Sequence, residues 1–584
     1  MKSFFTISNW VLHLLFACLM VMSVLLFKER LYADAAYYAF FTVNKGWFHI
    51  EHGRTVLALS QVLPLIGYYL GFPLKVLLVL WSFGHELFFY LLFLIILYPS
   101  KDRAGAFALL LVHLVGQLWM YYSPMYEIAY GAAIAVLFYS ILRSAKYKDD
   151  KWLILLLLAQ WFAMMSHPEN FLLIGLALAF HYFDFGWQKK IHLITGSFFL
   201  IGLVVEIFTF SEYELSNTKG KFDANASWTN LLEPDYLSQL AELLSSFYPD
   251  LLIMAAIAML LFILRKEGKK LLVYVGSMLL ILIAVNNKAS AISFIRYFES
   301  MYNPLVFIVA LPFAYAVFES KSIRVKQLSS VLITLLLFGR MYWIWDFGKP
   351  MQERMKQWER IVDYAQTLGG SKYIIDNSNF EKNYSLPTWA NPIEALLISA
   401  CDGKSNTLSL ITSADFEFGK NALQLNSNNF LFRRYEIEDY EFLNDRFFEL
   451  KKEDYSSLNQ ANFELPIDKY TEKVQIEALQ STDVSLNVND TILFPVLIKN
   501  GAEVPLPSNL DHQVFISYHW LQDGQIIQWD GIRTPLEVDV WHEFVQEIKL
   551  ATPEKPGVYE IQFDVVIEGK QWLGLNQLRR VKIN

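Results

Sequence analysis

Asp34 stands in the stretch LYADAAYYAFFTVNKGWFHIEHGR, Leu31 to Arg54, directly after an apolar run. A carboxylate placed there, with Tyr37 and Tyr38 one turn further on, can take a proton from an attacking hydroxyl when its pKa suits the task. A second carboxylate, Glu127 in YYSPMYEIAYG, falls between two more apolar runs. Two cations stand in comparable places: Arg296 in SFIRYFESMYNP and Lys75 at the start of an apolar run. Either could stabilise a developing negative charge in a partly desolvated site. His167-Pro168-Glu169 makes a tight turn before a helix, and His167 could line a cavity there with Glu169 beside it. The set predicts acid–base chemistry at Asp34 and Glu127, with Arg296, Lys75, His167, Glu169, Tyr37 and Tyr38 as candidate substrate-binding residues.

Simpler roles compete with each of these. Asp34 could be a solvated loop acid, and Glu127 could sit at a helix N-terminus because negative charge is favoured there. Arg296 could snorkel to lipid headgroups. The tyrosines, with Trp47, Tyr68, Tyr69, Tyr121 and Tyr122, could form an interfacial aromatic belt. His49, Glu51 and His52 are weakly spaced for a metal, so no metal ligands are assigned. No cofactor is required, and a divalent metal ion is the one candidate. His85 and Glu86 fall in the middle of an apolar run, where they are expected to pair internally with His113 or Gln117.

The elements that must position these residues follow from composition and charge. The chain has 584 residues, 54% of them hydrophobic and 18% charged, which is little charge for a soluble protein of this length. A net charge of −8 argues against nucleic acid as a partner. Cys18 and Cys401 lie far apart and suggest neither a local disulfide nor a zinc site. Apolar runs near 9–27, 75–98, 104–122, 128–143, 152–166, 169–185, 190–210, 247–264, 271–286, 302–318 and 327–346 predict about eleven spans. The turns 99–103, 143–151, 186–190, 265–270 and 319–326 are rich in Lys and Arg, and the turns between them are not. The positive-inside rule makes the basic set cytoplasmic. The run 55–71, broken by Pro64 and bounded by Gly71-Phe72-Pro73, is read as an interfacial helix rather than a span. The segments 28–74 and 211–246 then become long outer loops, with the N-terminus retained and cytoplasmic and the C-terminal region outside.

After about residue 348 the composition becomes that of ordinary soluble sequence. Residues 350–370 predict an amphipathic helix ending at a Gly pair. Residues 349–472 read as a small mixed α/β domain, and 473–584 as about seven strands in an immunoglobulin-like β-sandwich. The expected fold is thus a polytopic α-helical membrane domain over 1–348, followed by mixed α/β and β-sandwich regions outside.

Two resemblances extend this reading. The stretch ISYHWLQDGQIIQWDGIRTPL with PEKPGVYEIQFDVVIEGKQWLG resembles β-sandwich domains attached to bacterial sugar-handling enzymes, which implies a fold and saccharide contact. Asp34 in its long outer loop, Glu127 in the next outer turn and an outer C-terminal domain resemble the GT-C membrane glycosyltransferases. These include the protein O-mannosyltransferases and the lipid A aminoarabinose transferases. The resemblance implies a polyprenyl phosphate sugar as donor and a glycan, lipid or protein as acceptor, at the periplasmic face of a bacterial inner membrane. Asp34 would be the catalytic or organising carboxylate, Glu127 the second acid, and basic residues such as Arg296 and Lys75 the phosphate ligands. The chain departs from the usual Asp-Glu pair, having Asp34-Ala35. A transporter or flippase of a lipid-linked saccharide is one alternative, and a membrane-anchored saccharide-binding protein without catalysis is another.

Overall fold

The computed structural model describes residues 9–209, 234–285, 295–320, 322–375, 388–458, 470, 473–479, 485–502, 505–508, 514–568 and 571–584. Most of the expected outer loop 211–246 lies outside these residues; its last part is the helix Pro234–Phe247. The chain forms two compact units, Met1–Lys349 and Pro350–Asn584.

The expectation of eleven spans is not met. Among the described residues three helices are long and apolar enough to cross a membrane: Leu74–Leu97, Lys189–Thr209 and Gln327–Thr367. A fourth joins them if Leu237–Phe247 and Pro249–Leu264, bent by 96° at their junction, count as one span. Other apolar runs yield shorter helices, among them Asn9–Leu25, Thr55–Tyr69, Arg103–Val115 and Asn170–Phe185. About 20 residues are needed to cross some 30 Å of hydrocarbon. Apolarity on every side also marks a helix buried in protein, and Arg103–Val115 is one, with every residue from Ala104 to Val115 buried. The architecture is mixed, helical in the first unit and helix-and-sheet in the second.

In the first unit, Leu74–Leu97 packs against Asn9–Leu25, Val62–Tyr69 and Arg103–Val115. Glu127–Arg143 packs against Arg103–Val115, Asp150–Met164 and Asn170–Phe185. Close approach depends on particular glycines. A Cβ at Gly84 would lie 2.5 Å from the Ser60 carbonyl oxygen, so the short 3-10 helix Thr55–Gln61 rests directly on Leu74–Leu97. A Cβ at Gly131 would collide with Ser166 Oγ and Asn170 Nδ2, so Gly131 brings Asn170–Phe185 against Glu127–Arg143.

The second unit begins with a helix, Lys349–Thr367, whose Trp358, Ile361 and Val362 pack on Tyr373, Leu410 and Ile398. A parallel sheet runs in the order Ser409–Thr412, Lys372–Ile375, Ser456–Ser457, with Lys372 opposite Ser409 and Tyr373 opposite Ser456. Two further sheets share one core. The strand Thr491–Asn500 pairs with Glu543–Ala551 and Val474–Ala478 in one of them. In the other, Gly557–Ile567 pairs with Val514–Gln522 and Leu578–Ile583. Phe494 of the first sheet stacks on Phe563 of the second at 5.8 Å.

Candidate functional site

Asp34 opens the helix Asp34–Lys45. The residue before it, Ala33, holds φ 53° and ψ −117°, a strained conformation for a residue with a Cβ. The helix ends at Gly46 in the left-handed region, φ 60°. A Cβ there would also lie 2.5 Å from Tyr68 Cε1, so both backbone and packing call for glycine. The chain returns over the helix and turns again through His52 (φ 51°) and Gly53 (φ 70°).

One side chain fixes this return. Gln61, fully buried, accepts from the His49 N–H at 2.8 Å and donates to the His49 carbonyl oxygen at 2.8 Å. Thr42 Oγ1 donates to Gln61 Oε1 at 3.2 Å and ties the amide to the helix. The His49 ring stacks on Phe41 with centroids 4.3 Å apart. Its Nε2 reaches Glu51 Oε1 at 2.9 Å, and the same oxygen accepts from the Tyr37 hydroxyl at 3.1 Å. Arg54 Nη1 lies 3.2 Å from Glu127 Oε1 at the start of Glu127–Arg143. Asp34, Tyr37, Tyr38, His49, Glu51, Arg54 and Glu127 thus form one cluster, and the charges of Glu127, Glu51, Asp34 and Arg54 all act on Tyr38.

Burial sets the electrostatics of this cluster. It pushes the Glu127 carboxyl above the usual carboxylate range, with Arg54 the largest opposing influence and Asp34 adding to the rise. It pushes the Tyr38 hydroxyl well above its ordinary value, assisted by the three carboxylates. His49 is lowered by burial, against the pull of Glu51. Asp34 itself is half-buried.

The other sequence-derived candidates fall around this cluster. The His167–Glu169 turn is tied to the first turn of Glu127–Arg143, because Asn170 Nδ2 donates to the Ile128 carbonyl oxygen at 3.4 Å. Within that turn the Glu169 N–H donates to His167 Nδ1 at 3.3 Å. Lys75 is exposed in the first turn of Leu74–Leu97. Arg296 stands in the first turn of Ile295–Phe318, and its side chain lies outside the described residues. The aromatic belt is corrected in part: Tyr121 and Tyr122 are buried, their hydroxyls donating to the carbonyl oxygens of Leu19 at 3.0 Å and Ile344 at 2.9 Å. Trp47 and Tyr69 are exposed. Among the described residues no three His, Cys, Asp or Glu side chains converge as a ligand set for a metal ion.

Arg54 was missed by residue type and spacing. Its signal was available, since Arg54 and Lys45 are the basic residues of 31–54 and Arg54 follows a His-Gly turn. Two buried networks brace the site from behind. Glu86, 2% exposed, pairs with Arg30 at 3.0 Å and His113 at 2.8 Å; the His113 contact is the internal pairing the sequence suggested. Arg30 also donates to the Tyr121 carbonyl oxygen at 2.7 Å and lies over the Tyr121 ring. Glu299 accepts from the Leu118 and Met120 backbone N–H groups and from the Tyr248 hydroxyl, which holds the turn leading to Glu127. Burial raises the Glu299 carboxyl to about 7.

Comparison with known protein families, curated proteins and solved structures finds no match to this chain. Functional assignment therefore rests on the geometry above.

Proposed function

We propose that this chain is a glycosyltransferase acting at a bilayer, moving a sugar from a polyprenyl phosphate carrier to an acceptor hydroxyl. The observation that supports it is the meeting of Asp34 and Glu127 with Arg54 and two tyrosines beside long apolar helices. A lipid-borne donor needs such apolar surroundings, and the transfer needs acid–base groups and a cation together.

In the proposed step Asp34 takes the proton of the acceptor O–H. The acceptor oxygen forms a bond to the anomeric carbon, and the bond from that carbon to the phosphate oxygen breaks. The phosphate leaves with the electron pair, and the proton stays on Asp34 until solvent removes it. Glu127, paired with Arg54, is the second carboxylate beside the reacting groups. Arg54 orients Glu127 and offsets the developing phosphate charge. Lys75 and Arg296 remain candidates for the lipid phosphate from their sequence positions. The acceptor class, whether glycan, lipid or protein, follows from the same resemblance and is part of the proposal.

The test is mass analysis of surface glycans from cells lacking the chain, complemented with wild type or Asp34→Asn. Wild type should restore a missing sugar increment. Asp34→Asn should transfer about 10²–10⁴-fold more slowly, as expected on loss of a general base. Full restoration by Asp34→Asn would remove the carboxylate from the mechanism.

A further inference from the structure

A cleft of about 520 Å³ opens at the end of Glu127–Arg143 away from the acids, lined by Arg143, Asp184, Phe185, Glu319 and the turn 266–270. Its size falls within the roughly 300–1,000 Å³ of small-molecule sites. The helix has 17 residues, so about 24 Å separates Glu127 from this cleft. Four cations meet three carboxylates in the lining. Arg143 pairs with Asp184 and Glu319, and Lys270 pairs with Asp184 and, at 3.3 Å, with Glu267. Those two cations engage all three acids. Lys266 and Lys269 are exposed, and among the described residues their ammonium groups have no ion-pair or hydrogen-bond partner. The uncommitted positive charge is therefore gathered on one wall.

The backbone of that wall is unusual. Lys266 holds φ 58°. Its N–H donates to the Ile263 carbonyl oxygen at 3.0 Å, and the Glu267 N–H donates to the Phe262 carbonyl oxygen at 2.9 Å. This is the left-handed cap that closes Pro249–Leu264, at the position where helices favour glycine. A lysine held there against its steric preference points to a use for its charge. The two helices joined by the turn, Pro249–Leu264 and Gly268–Val285, also leave large apolar side chains exposed. Leu260 and Leu264 are exposed on the first, Leu272 and Leu279 on the second, and their spacing puts each pair on one helix face. Apolar helix faces that end at unpaired lysines suit a lipid, with its chains along the helices and its phosphate at the turn.

We infer that this cleft holds the phosphate of an anionic phospholipid, with Lys266 and Lys269 as its cations and its acyl chains along the exposed faces of Pro249–Leu264 and Gly268–Val285. The inference does not depend on the transferase reading.

The experiment is native mass spectrometry of the full-length protein in dodecyl maltoside, loaded with dioleoyl phosphatidylglycerol or dioleoyl phosphatidylcholine. Wild type should retain phosphatidylglycerol in preference to phosphatidylcholine. Lys266→Gly should weaken that retention about 5-fold, and Lys266→Gly/Lys269→Gln about 30-fold. Glycine suits the backbone at 266, so Lys266→Gly should unfold at no lower temperature than wild type. Lys269→Gln, at an exposed position, gives the same reading by itself. Lys189→Gln/Lys190→Gln removes two exposed cations that do not line the cleft and should leave retention unchanged. Equal retention of the two lipids by wild type would overturn the inference, as would an equal loss in Lys189→Gln/Lys190→Gln. Displacement of phosphatidylglycerol by millimolar inorganic phosphate would overturn the lipid as the source of the phosphate.

Discussion

Replacing Arg54 by leucine should create a loss of stability that depends on pH. Arg54 Nη1 lies 3.2 Å from Glu127 Oε1, and the two side chains are 13% and 12% exposed. At that distance, with an effective dielectric constant of about 20, the charges attract by about 5 kcal/mol before desolvation is counted. Removing one partner of a fully buried pair costs about 3–5 kcal/mol, and the residual exposure puts this pair near the lower end. Burial already raises the Glu127 carboxyl in the folded protein despite Arg54. A raised carboxyl contributes stability that is fully present below its unfolded value and is lost as pH rises through its folded value. Without Arg54 the folded value climbs further, because the largest influence opposing the rise is gone. At neutral pH Arg54→Leu should therefore be less stable by about 3 kcal/mol. Below about pH 4, where Glu127 is protonated in both proteins, most of the difference should close. Thermal unfolding of the full-length protein in nanodiscs, from about pH 4 to 8, measures this. Arg54→Leu/Glu127→Gln should recover most of the neutral-pH loss. A deficit of equal size at every pH, or no recovery in the double variant, would refute the reasoning.

Other outcomes follow from single contacts. Gly131→Val drives a side chain into Ser166 and Asn170; overpacking of this kind costs about 1–3 kcal/mol and should reduce transfer by displacing the His167–Glu169 turn, so unchanged activity would contradict that packing. Arg30→Leu leaves Glu86 a buried charge whose remaining ion-pair partner among the described residues is His113. It should destabilise by about 3–5 kcal/mol, and Arg30→Leu/Glu86→Leu by less, as read from thermal midpoints. Lys372, 1% exposed, donates to the Asn429 carbonyl oxygen at 2.7 Å, and burial lowers it to about 8. Stability from this depression is complete above the ordinary lysine value and is lost as pH falls through about 8. Urea unfolding followed by Trp fluorescence should show a gain of roughly 2–3 kcal/mol on raising the pH through that window, and Lys372→Met should abolish it.

Local signals carried part of this fold and site. Strand-like runs such as TILFPVLIKN and GVYEIQFDVVI became the strands Thr491–Asn500 and Gly557–Ile567. The amphipathic run 350–370 became Lys349–Thr367, with Gly369 left-handed just beyond it. Asp34, Tyr37, Tyr38 and Glu127 could be singled out because carboxylates and hydroxyls are uncommon among apolar runs. Span length could not be read, because composition does not reveal where a helix stops. The run 104–122 ends as helix at Val115, then continues in a tighter turn whose N–H groups are satisfied by Glu299, distant in sequence. Arg54 stands out in the sequence only as one of two Lys or Arg residues in 31–54; its pairing with Glu127 is made by folding.

The glycine at 84 has a consequence for depth. Leu74 to Gly84 is ten residues, about 15 Å of helix at 1.5 Å per residue. Gly84 meets the Ser60 carbonyl there, and Arg30 meets Ser82 and Glu86 at the same level. Where Leu74–Leu97 crosses some 30 Å of hydrocarbon, the ledge that carries Gln61 and the loop of His49 rests near mid-bilayer rather than among the headgroups. Anything that reaches these acids from water would then cross about half of that thickness.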